Sequence, residues 1–596
     1  MSRTYSLEEN IEIMRNHSKG IYQGTNVMGN LLSLNDMLKS TQPMEDLEKI
    51  NEHHKKLRME FTKSNEHMKK TLNLYGCENV IYFGDATFRK ENDINNYGLI
   101  ILTEFRFIFQ FLEKNAKKEK FKEDFFKIPF LLINKITKGE QKSNYVPFTI
   151  SVRDGRKLLF YINQKDDDII TKLINTALPE KFDIYEFPKM LNNYFISIYK
   201  VLNGWDFYDF KKEFMRQGII FDDRKNCPFR ISELNKDFTF IETYPQYLIE
   251  PKNISDDTIK KAAEYRTKSR VPTLSYYYNN PNSKKISGIW RSSQSKSGLL
   301  NSKNKEDINL INEIKNLGNN FYIYDARPQI NAETNKIKGG GYESVENYEC
   351  AKLIFCYIEN IHKARDALKS VEGICTNENI MTNKNFWSQL ESTGWLDFIM
   401  ITLKISNEIS KLVVRGNNVL IHCSDGWDRT PQLVTISQIL LEPYYRTFTG
   451  FAVLIEKDFL SFGHQFAKRS GINEKKTEGE NERSPIFLQF LDCIYQLIIQ
   501  FPTEFEFNQD YLLFIAKNYS VNLFGTFMFN NEKERKEKKA KITTASIWTY
   551  LMNNKEKYLN PLYSSQKCQK ILTPNYAYYK YNLWTDYFFR NSEFAE

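Results

Sequence analysis

The chain has 596 residues, of which 41% are hydrophobic and 14% aromatic, which is enough material for two to four folded domains. Its formal net charge of +9 suits attraction to acidic lipid headgroups, and no zinc-finger, helix-loop or RNA-binding motif accompanies it, so we expect no nucleic-acid partner. Eight scattered cysteines and seven dispersed histidines lack metal-ligand spacing, which predicts reduced thiols and no metal or other cofactor.

The N-terminal extension, residues 1–74, is polar with helical periodicity. It begins without a signal-peptide core, and no apolar run of about 18 residues occurs in the chain, so we expect a cytoplasmic protein. From Met44 the apolar positions recur at spacings near three and four, through Leu57, Phe61, Met68 and Leu72. Two interpretations stay open: a coiled coil that joins copies of the chain into a homo-oligomer, or a single helix that lies on the body.

Residues 75–185 carry strand signals instead. Alternation of Phe105, Phe107, Phe109 and Phe111 puts four rings on one face, and an Asp-Gly pair at 154–155 predicts a hairpin between 148–152 and 158–162. Three acidic residues at 166–168 then open an amphipathic helix. We predict a β-rich domain that one helix closes. The basic stretch at 114–122 either faces a membrane or is a solvated loop.

Residues 190–596 mix the two kinds of element. The segments 321–324 and 419–421 look like short buried strands between helical patterns, which predicts an α/β domain whose central sheet is flanked by helices. Three glycines from Gly339 to Gly341 lack the spacing of a nucleotide loop and predict a sharp turn. The mixed charge run at 533–541 predicts a solvated loop.

The most informative segment is Cys-Ser-Asp-Gly-Trp-Asp-Arg, from Cys423 to Arg429, between a buried strand and a helix. Backbone N–H groups of such a loop converge at the helix N-terminus, where the helix dipole favours an anion such as phosphate. Arg429 offers a planar fork that grips two phosphate oxygens. The same electropositive environment lowers the pKa of a thiol, so we expect Cys423 to be a thiolate nucleophile that forms a cysteinyl-phosphate. Thr430 can hydrogen-bond the thiolate. His422 either shapes the loop through its ring or activates the thiol.

This loop resembles the signature of the myotubularin family, the phosphoinositide 3-phosphatase branch of the Cys-dependent phosphatases. Further stretches that resemble the family occur in the expected order at 205–209, 216–219, 243–245, 270–272, 325–328, 338–343, 358–362, 444–447, 461–464 and 483–485. The resemblance implies removal of the 3-phosphate from phosphatidylinositol 3-phosphate, and often from the 3,5-bisphosphate. It also implies that residues 75–185 form a PH-GRAM domain and that residues 190–596 form the phosphatase domain.

The resemblance assigns site residues too. Within the loop, Ser424, Gly426 and Trp427 would bind substrate beside Cys423 and Arg429, and Asp428 would be the general acid, with Asp425 as the second candidate. Outside the loop, Asn335 and Asn360 would hydrogen-bond the substrate, although both also suit turns and helix caps. Arg469 matches a basic position linked to a 5-phosphate, whereas Gln465 stands where the family usually has Arg or Lys. That loss of charge disfavours the bisphosphate.

The resemblance further implies that the protein binds peripherally to phosphoinositide-containing membranes, on endosomes or other intracellular compartments. Two other functions are open. Inactive relatives act as scaffolds, but they typically lack the Cys or the Arg that this chain has. A protein-tyrosine phosphatase is the other alternative, and a loop with two carboxylates beside a tryptophan looks ill-suited to it.

Overall fold

The computed structural model describes residues 52–89, 96–112, 126–141, 144–154, 156–177, 184–199, 203–221, 227–279, 285–344, 346–348, 351–375, 385–471 and 479–590. Within these segments we find no helix with the length and apolar character that crossing a bilayer requires.

Strands and helices are numbered here in chain order. The strands are β1 Val80–Arg89, β2 Asn96–Thr103, β3 Arg106–Phe111, β4 Lys127–Pro129, β5 Ile133–Lys138, β6 Tyr145–Val152, β7 Lys157–Asn163, β8 Phe229–Ser232, β9 Leu248–Pro251, β10 Thr273–Tyr278, β11 Ser287–Arg291, β12 Phe321–Asp325, β13 Ala351–Phe355 and β14 Asn418–His422. The helices are α1 Glu52–Phe61, α2 Asn65–Leu72, α3 Asp168–Ala177, α4 Glu186–Ile198, α5 Phe210–Arg216, α6 Asp256–Glu264, α7 Lys305–Leu317, α8 Gln329–Ile337, α9 Ile361–Cys375, α10 Phe386–Ser392, α11 Trp395–Val414, α12 Arg429–Leu441, α13 Phe448–Ile455, α14 Phe466–Ser470, α15 Gly479–Glu482, α16 Ile486–Gln500, α17 Gln509–Asn518, α18 Glu532–Glu537, α19 Ala540–Thr543, α20 Ile547–Asn553 and α21 Thr585–Phe588.

The N-terminal sheet has seven antiparallel strands in the order β4-β3-β2-β1-β7-β6-β5. Helix α3 closes one face of it, where Ile169, Ile170 and Leu173 join a core that includes Phe107 and Phe109. The β-rich domain with one closing helix is therefore confirmed. Phe105 precedes β3 and leaves this core, because its ring stacks on Phe187 of α4 with the centroids 4.7 Å apart.

The other face of this sheet carries the described part of the N-terminal extension. The helical conformation is interrupted between α1 and α2, and the Ser64 hydroxyl caps α2 by accepting from the His67 N–H at 3.1 Å. Phe61, Met68 and Leu72 are buried together against the sheet residues Leu99, Ile101 and Ile108. The described part of the extension therefore lies on the body, but as two short helices rather than the single helix of that interpretation. The remainder of the N-terminal extension, residues 1–51, lies outside the described residues.

The second large sheet has five strands in the order β10-β11-β14-β12-β13. Strand β14 is central, and it runs parallel to both β11 and β12. Helices α11, α12 and α16 bury their apolar side chains in the large core on one side of this sheet. This confirms the predicted α/β domain and its two buried strands. The prediction of a solvated loop at 533–541 is wrong. This segment forms parts of α18 and α19, because Arg535 is buried in an ion pair with Glu456 at 2.9 Å.

Candidate active site

The catalytic loop is the connection between β14 and α12. Ligands of open α/β sheets bind beyond the carboxyl ends of the strands, and β14 ends at His422, directly before Cys423. Helix α12 begins at Arg429, and its N-cap residue Asp428 makes no side-chain capping bond. The N–H groups at this end of the helix are therefore not capped and can face an anion, although Pro431 has no N–H and Thr430 faces Cys423.

Cys423 lies at the bottom of the loop, with 3% of its surface exposed. The Gly426 N–H donates to its Sγ at 3.3 Å. Burial alone would raise the pKa of this thiol, but the Arg429 guanidinium and hydrogen bonds from Thr430 outweigh burial and lower the pKa below its usual value. The pKa values of Cys356 and Cys493, which burial raises, move the other way. The loop therefore favours the thiolate at Cys423.

Gly426 is the tightest point of the loop. Its φ of +77° lies in the left-handed region, and a Cβ there would lie 2.9 Å from the Ser292 carbonyl carbon and closer still to its oxygen. The Gly426 carbonyl accepts from Arg270 Nη2 at 3.1 Å and from Arg291 Nη2 at 3.0 Å. Two buried guanidinium groups thus hold the loop from behind, and only glycine fits between them and Ser292.

Arg429 is buried, and its Nη1 donates to the Ile358 carbonyl at 3.1 Å. Its Nε makes no hydrogen bond with any residue that the structure describes. A buried N–H of this kind is costly unless a partner binds it, and a phosphate oxygen would supply that partner. The arrangement matches the role that the sequence predicts for this residue.

Asp428 forms an ion pair with Arg469. The guanidinium binds both carboxylate oxygens, with Nε–Oδ1 at 3.0 Å and Nη2–Oδ2 at 2.8 Å. Burial would raise the pKa of Asp428, but Arg469 and His464 together lower it well below its usual range. The ion pair joins residues 41 positions apart in the chain, so the sequence did not predict it, and the acid role of Asp428 stays a prediction.

Asp425 has the opposite environment. Burial raises its pKa, and the neighbouring charge of Asp428 raises it further, while Lys268 and Arg270 act against the rise. A carboxyl of this kind is better suited to hold a proton than Asp428 is. Both carboxyl groups therefore stay candidates for the acid, in opposite electrostatic environments.

His422 belongs to a buried chain of charges behind the loop. Its Nε2 lies 2.9 Å from Glu343 Oε2, and its Nδ1 lies 3.2 Å from the Cys423 carbonyl oxygen. Glu343 also binds Arg266, which holds Asp307 through two bonds of 2.7 Å. Burial lowers the pKa of His422, but Glu343 outweighs it and raises the pKa above its usual value. The ring thus binds backbone and Glu343, as the loop-shaping interpretation predicts.

The sequence did not predict a role for several of these residues. Glu343, Arg270 and His464 fall inside stretches that resemble the family, but their residue types alone gave no role. Gln294 was missed altogether, although its N–H donates to the Ser424 carbonyl at 3.0 Å and its Oε1 accepts from Arg327. A lone polar residue after a strand carries no signal for such a contact.

The two asparagines differ in their contacts. Asn335 of α8 donates from Nδ2 to Ser424 Oγ at 3.2 Å, which brings it to the catalytic loop as expected. Asn360 caps α9, because its Oδ1 accepts from the N–H groups of His362 and Lys363 at 3.0 and 3.1 Å. The structure therefore gives Asn360 the cap role and leaves its contact with substrate a prediction.

Gln465 is buried and turned toward backbone. Its Nε2 donates to the Gly463 carbonyl at 2.9 Å and to the Asn530 carbonyl at 3.3 Å. Arg469 nearby uses its Nη1 on Glu482 as well as binding Asp428. It also lines a cavity of about 610 Å³ between the N-terminal sheet and the catalytic domain. Trp427, in the catalytic loop, is half-buried, and the Lys268 Nζ lies 5.2 Å from its ring centroid.

Comparison with known proteins gives one consistent result. The family model for the myotubularin-like phosphatase domain matches residues 190–536. A myotubularin of Xenopus tropicalis is 36% identical over 476 residues, which cover 78% of this chain and 76% of the relative. The phosphatidylinositol-3,5-bisphosphate 3-phosphatase mtm-1 of Caenorhabditis elegans is 34% identical and covers 87% of each chain. The bovine phosphatidylinositol-3,5-bisphosphate 3-phosphatase MTMR2 is 40% identical over 68% of this chain and 62% of its own length.

Proposed function

Because the chain belongs to the myotubularin family of phosphatases, we propose that it is a phosphoinositide 3-phosphatase that hydrolyses phosphatidylinositol 3-phosphate through a cysteinyl-phosphate intermediate. The observation that supports this most directly is the catalytic loop: a buried thiol of lowered pKa lies beneath an uncapped helix N-terminus, beside an arginine with an unpaired Nε. These features suit a phosphate monoester dianion.

The reaction follows from these positions. The 3-phosphate sits against the N–H groups of the loop and of the first turn of α12, and Arg429 binds two of its oxygens. The Cys423 thiolate attacks phosphorus, so that a sulfur–phosphorus bond forms while the bond from phosphorus to the inositol oxygen breaks. The leaving oxygen takes a proton from a carboxyl group. Water then attacks the phosphocysteine and gives a proton back to the same carboxylate, while the sulfur–phosphorus bond breaks, the thiolate leaves and inorganic phosphate is released.

We assign the proton to Asp425 and a positioning role to Asp428. Asp428 is held as an anion by Arg469, so it would have to break two charge-assisted hydrogen bonds before it could carry a proton. Asp425 has a raised pKa and no such partner among the described residues. The Asp428–Arg469 pair would instead fix the last residue of the loop against α14.

For the substrate range, we propose that the monophosphate is preferred over the 3,5-bisphosphate. The relatives include proteins named for the bisphosphate. In this chain Gln465 carries no charge, and its amide is used on backbone carbonyls. Arg469 is shared between Asp428 and Glu482, which leaves little of its guanidinium for a second phosphate.

The other expectations stay proposals of the same kind. We propose that residues 75–185 act as a PH-GRAM domain and that the protein binds peripherally to endosomal or other intracellular membranes, from the cytoplasm. Contact of the basic stretch 114–122 with lipid and pairing of two copies through the N-terminal extension also remain predictions, since both depend mainly on residues outside the described ones.

The test is a phosphate-release assay on short-chain forms of all seven phosphoinositides and on a phosphotyrosine peptide. Wild type should release phosphate from the 3-phosphate lipid. The Cys423→Ser variant should release none while it still binds the lipid. Release from the peptide alone would overturn the proposal in favour of a protein phosphatase, and unchanged turnover in Cys423→Ser would remove the loop from the chemistry.

The Gln465→Arg variant tests the substrate range in the same assay. Restoring a positive charge near the inositol should raise kcat/KM for the 3,5-bisphosphate relative to the monophosphate. An unchanged ratio would show that Gln465 does not set the preference.

A further inference from the structure

Four large apolar side chains point into solvent beside the catalytic loop. Leu299 is 68% exposed, Leu300 94%, Ile330 72% and Ile337 72%. Single exposed apolar residues are common on proteins, but several that are exposed this fully and lie on adjoining elements usually mark an interaction surface. We call these four residues the apolar rim.

The rim residues sit on two segments that contact each other. Leu299 and Leu300 lie in a tight turn closed by the bond from the Ser302 N–H to the Ser297 carbonyl at 2.7 Å. The turn is joined to the segment after α8 by the Gly298 N–H, which donates to the Gly340 carbonyl at 2.9 Å. Ile330 and Ile337 are seven residues apart on α8, so they share one face of that helix.

Both segments are joined to the active site. Helix α8 also carries Asn335, whose amide binds the Ser424 hydroxyl, on a face turned away from that of Ile330 and Ile337. The turn that holds Leu299 follows Gln294, whose N–H binds the Ser424 carbonyl. The Gln294 side chain lies directly beside Gly340. One side of α8 thus lines the phosphate site while another presents apolar groups to solvent at its edge.

Basic side chains flank this surface. Lys296, Lys303 and Lys338 are exposed on the same two segments, and the exposed Lys268 lies over Trp427 at the mouth of the loop. Exposed leucine and isoleucine among lysines match a bilayer surface, in which apolar groups enter the acyl boundary and lysines face anionic headgroups. A protein partner could also bind exposed leucine, isoleucine and lysine side chains. A membrane is the better match here, because these side chains lie next to a site that must receive a membrane lipid.

We infer that the apolar rim enters the bilayer and holds the catalytic loop at the height of the phosphoinositide headgroup. The inference rests on the proposed lipid phosphatase activity, since it names the surface by which that activity reaches its substrate. The inference does not require that the N-terminal sheet contacts the membrane. It gives the rim a role in docking and no part in the chemical steps.

The experiment compares vesicles with a soluble substrate. The double variant Leu299→Ser/Leu300→Ser is assayed on vesicles of phosphatidylcholine, phosphatidylserine and phosphatidylinositol 3-phosphate, and on a short-chain monomeric form of the same lipid. Each buried leucine contributes about tenfold to partition into an apolar phase, so vesicle turnover should fall at least tenfold. The kcat/KM on the monomeric substrate should stay within about twofold of wild type.

The matched control is Leu562→Ser, because Leu562 is 61% exposed and lies in a turn that Asn560 ties to the 502–505 segment. It should leave both activities unchanged. A single Leu300→Ser variant guards against misfolding of the double variant, since a side chain that is 94% exposed contributes little to packing. Vesicle turnover equal to wild type in both rim variants, or an equal loss in Leu562→Ser, would overturn the inference.

Two further outcomes separate the inference from the proposed function. If the wild type turns over neither substrate, the proposed function fails, and sedimentation with the same vesicles then tests the rim by itself: wild type should sediment and the double variant should not. If the double variant loses turnover of the monomeric substrate as well, the rim acts in the chemistry or the fold, and the docking role is wrong.

Discussion

Replacing Gly426 by alanine tests whether the catalytic loop acts as a rigid anion receptor. The change adds one methyl group at a residue with φ of +77°, where a Cβ would collide with the Ser292 carbonyl. The left-handed conformation costs about 1–2 kcal/mol for a residue with a side chain. Two hydrogen bonds from Arg270 and Arg291 to the Gly426 carbonyl oppose the movement that would relieve the collision.

The expected magnitude follows from this geometry. The Gly426 N–H also donates to the Cys423 sulfur, so a displaced loop misplaces both the nucleophile and the amide bowl. A displacement of about 1 Å in an active site costs about 10²-fold in rate, which corresponds to about 2.7 kcal/mol of transition-state stabilisation. We expect kcat/KM on the short-chain 3-phosphate lipid to fall by about 10²-fold in Gly426→Ala, measured as released phosphate.

The control is Gly373→Ala in α9. Among the described residues outside the helix, no atom lies within 4 Å of a Cβ built there, and alanine in a helix interior is about 0.5–1 kcal/mol more stable than glycine. That variant should keep wild-type kcat/KM and unfold at a slightly higher urea concentration. If Gly426→Ala kept activity within threefold of wild type, the loop would be pliable and the argument from its fixed geometry would be refuted.

Three other predictions concern titrating groups. Asp425→Asn should lose about 10²–10⁴-fold in kcat on the inositol lipid but little on an activated aryl phosphate, because that leaving group needs no proton. Asp428→Asn should slow the hydrolysis of both substrates alike. The reverse pattern would assign the acid to Asp428. Glu343→Gln should cost about 3–5 kcal/mol at pH 7 in urea unfolding. The pKa of Glu343 is lower in the folded than in the unfolded protein, so Glu343 stabilises the fold at pH values above its unfolded pKa, near 4.3. This stabilisation is lost as the pH falls from there through the folded pKa. A Glu343→Gln variant whose free energy of unfolding has the wild-type pH dependence would contradict this. Iodoacetamide should modify Cys423 with a midpoint below the usual thiol pKa and Cys568, whose pKa burial raises, with one above it; equal midpoints would remove the case for a thiolate.

The sequence predicts those parts of the site that depend on neighbours along the chain. The Cys423 loop lies between a strand and a helix within a few residues, so its fold and its chemistry are both visible locally. The Asp428–Arg469 pair and the Arg270 bond to Gly426 join residues 41 and 156 positions apart. Residue type alone does not reveal which distant charge will meet a carboxylate, so the sequence could not predict the partner of Asp428.

The same distinction applies to the wider fold. Alternation predicts β3 and periodicity predicts α3, because each pattern reports one buried face. Phe105 continues the alternation yet packs against α4, since it lies just before the strand. The charged run at 533–541 has a polar composition that favours solvent, but burial of Arg535 against Glu456 orders it into helix. Tertiary ion pairs of this kind leave no periodic trace in a sequence.

The four arginines behind the loop, Arg266, Arg270, Arg291 and Arg327, have no exposed surface, so dissolved ions have little access to the charges that hold it. Lysines at the rim face open water and lose their attraction to anionic headgroups once ionic strength shortens the Debye length. Raising salt should therefore weaken the attachment to an anionic vesicle long before it disturbs the loop. Salt would then lower turnover on vesicles without damage to the catalytic loop, and this turnover should return when the salt is diluted out.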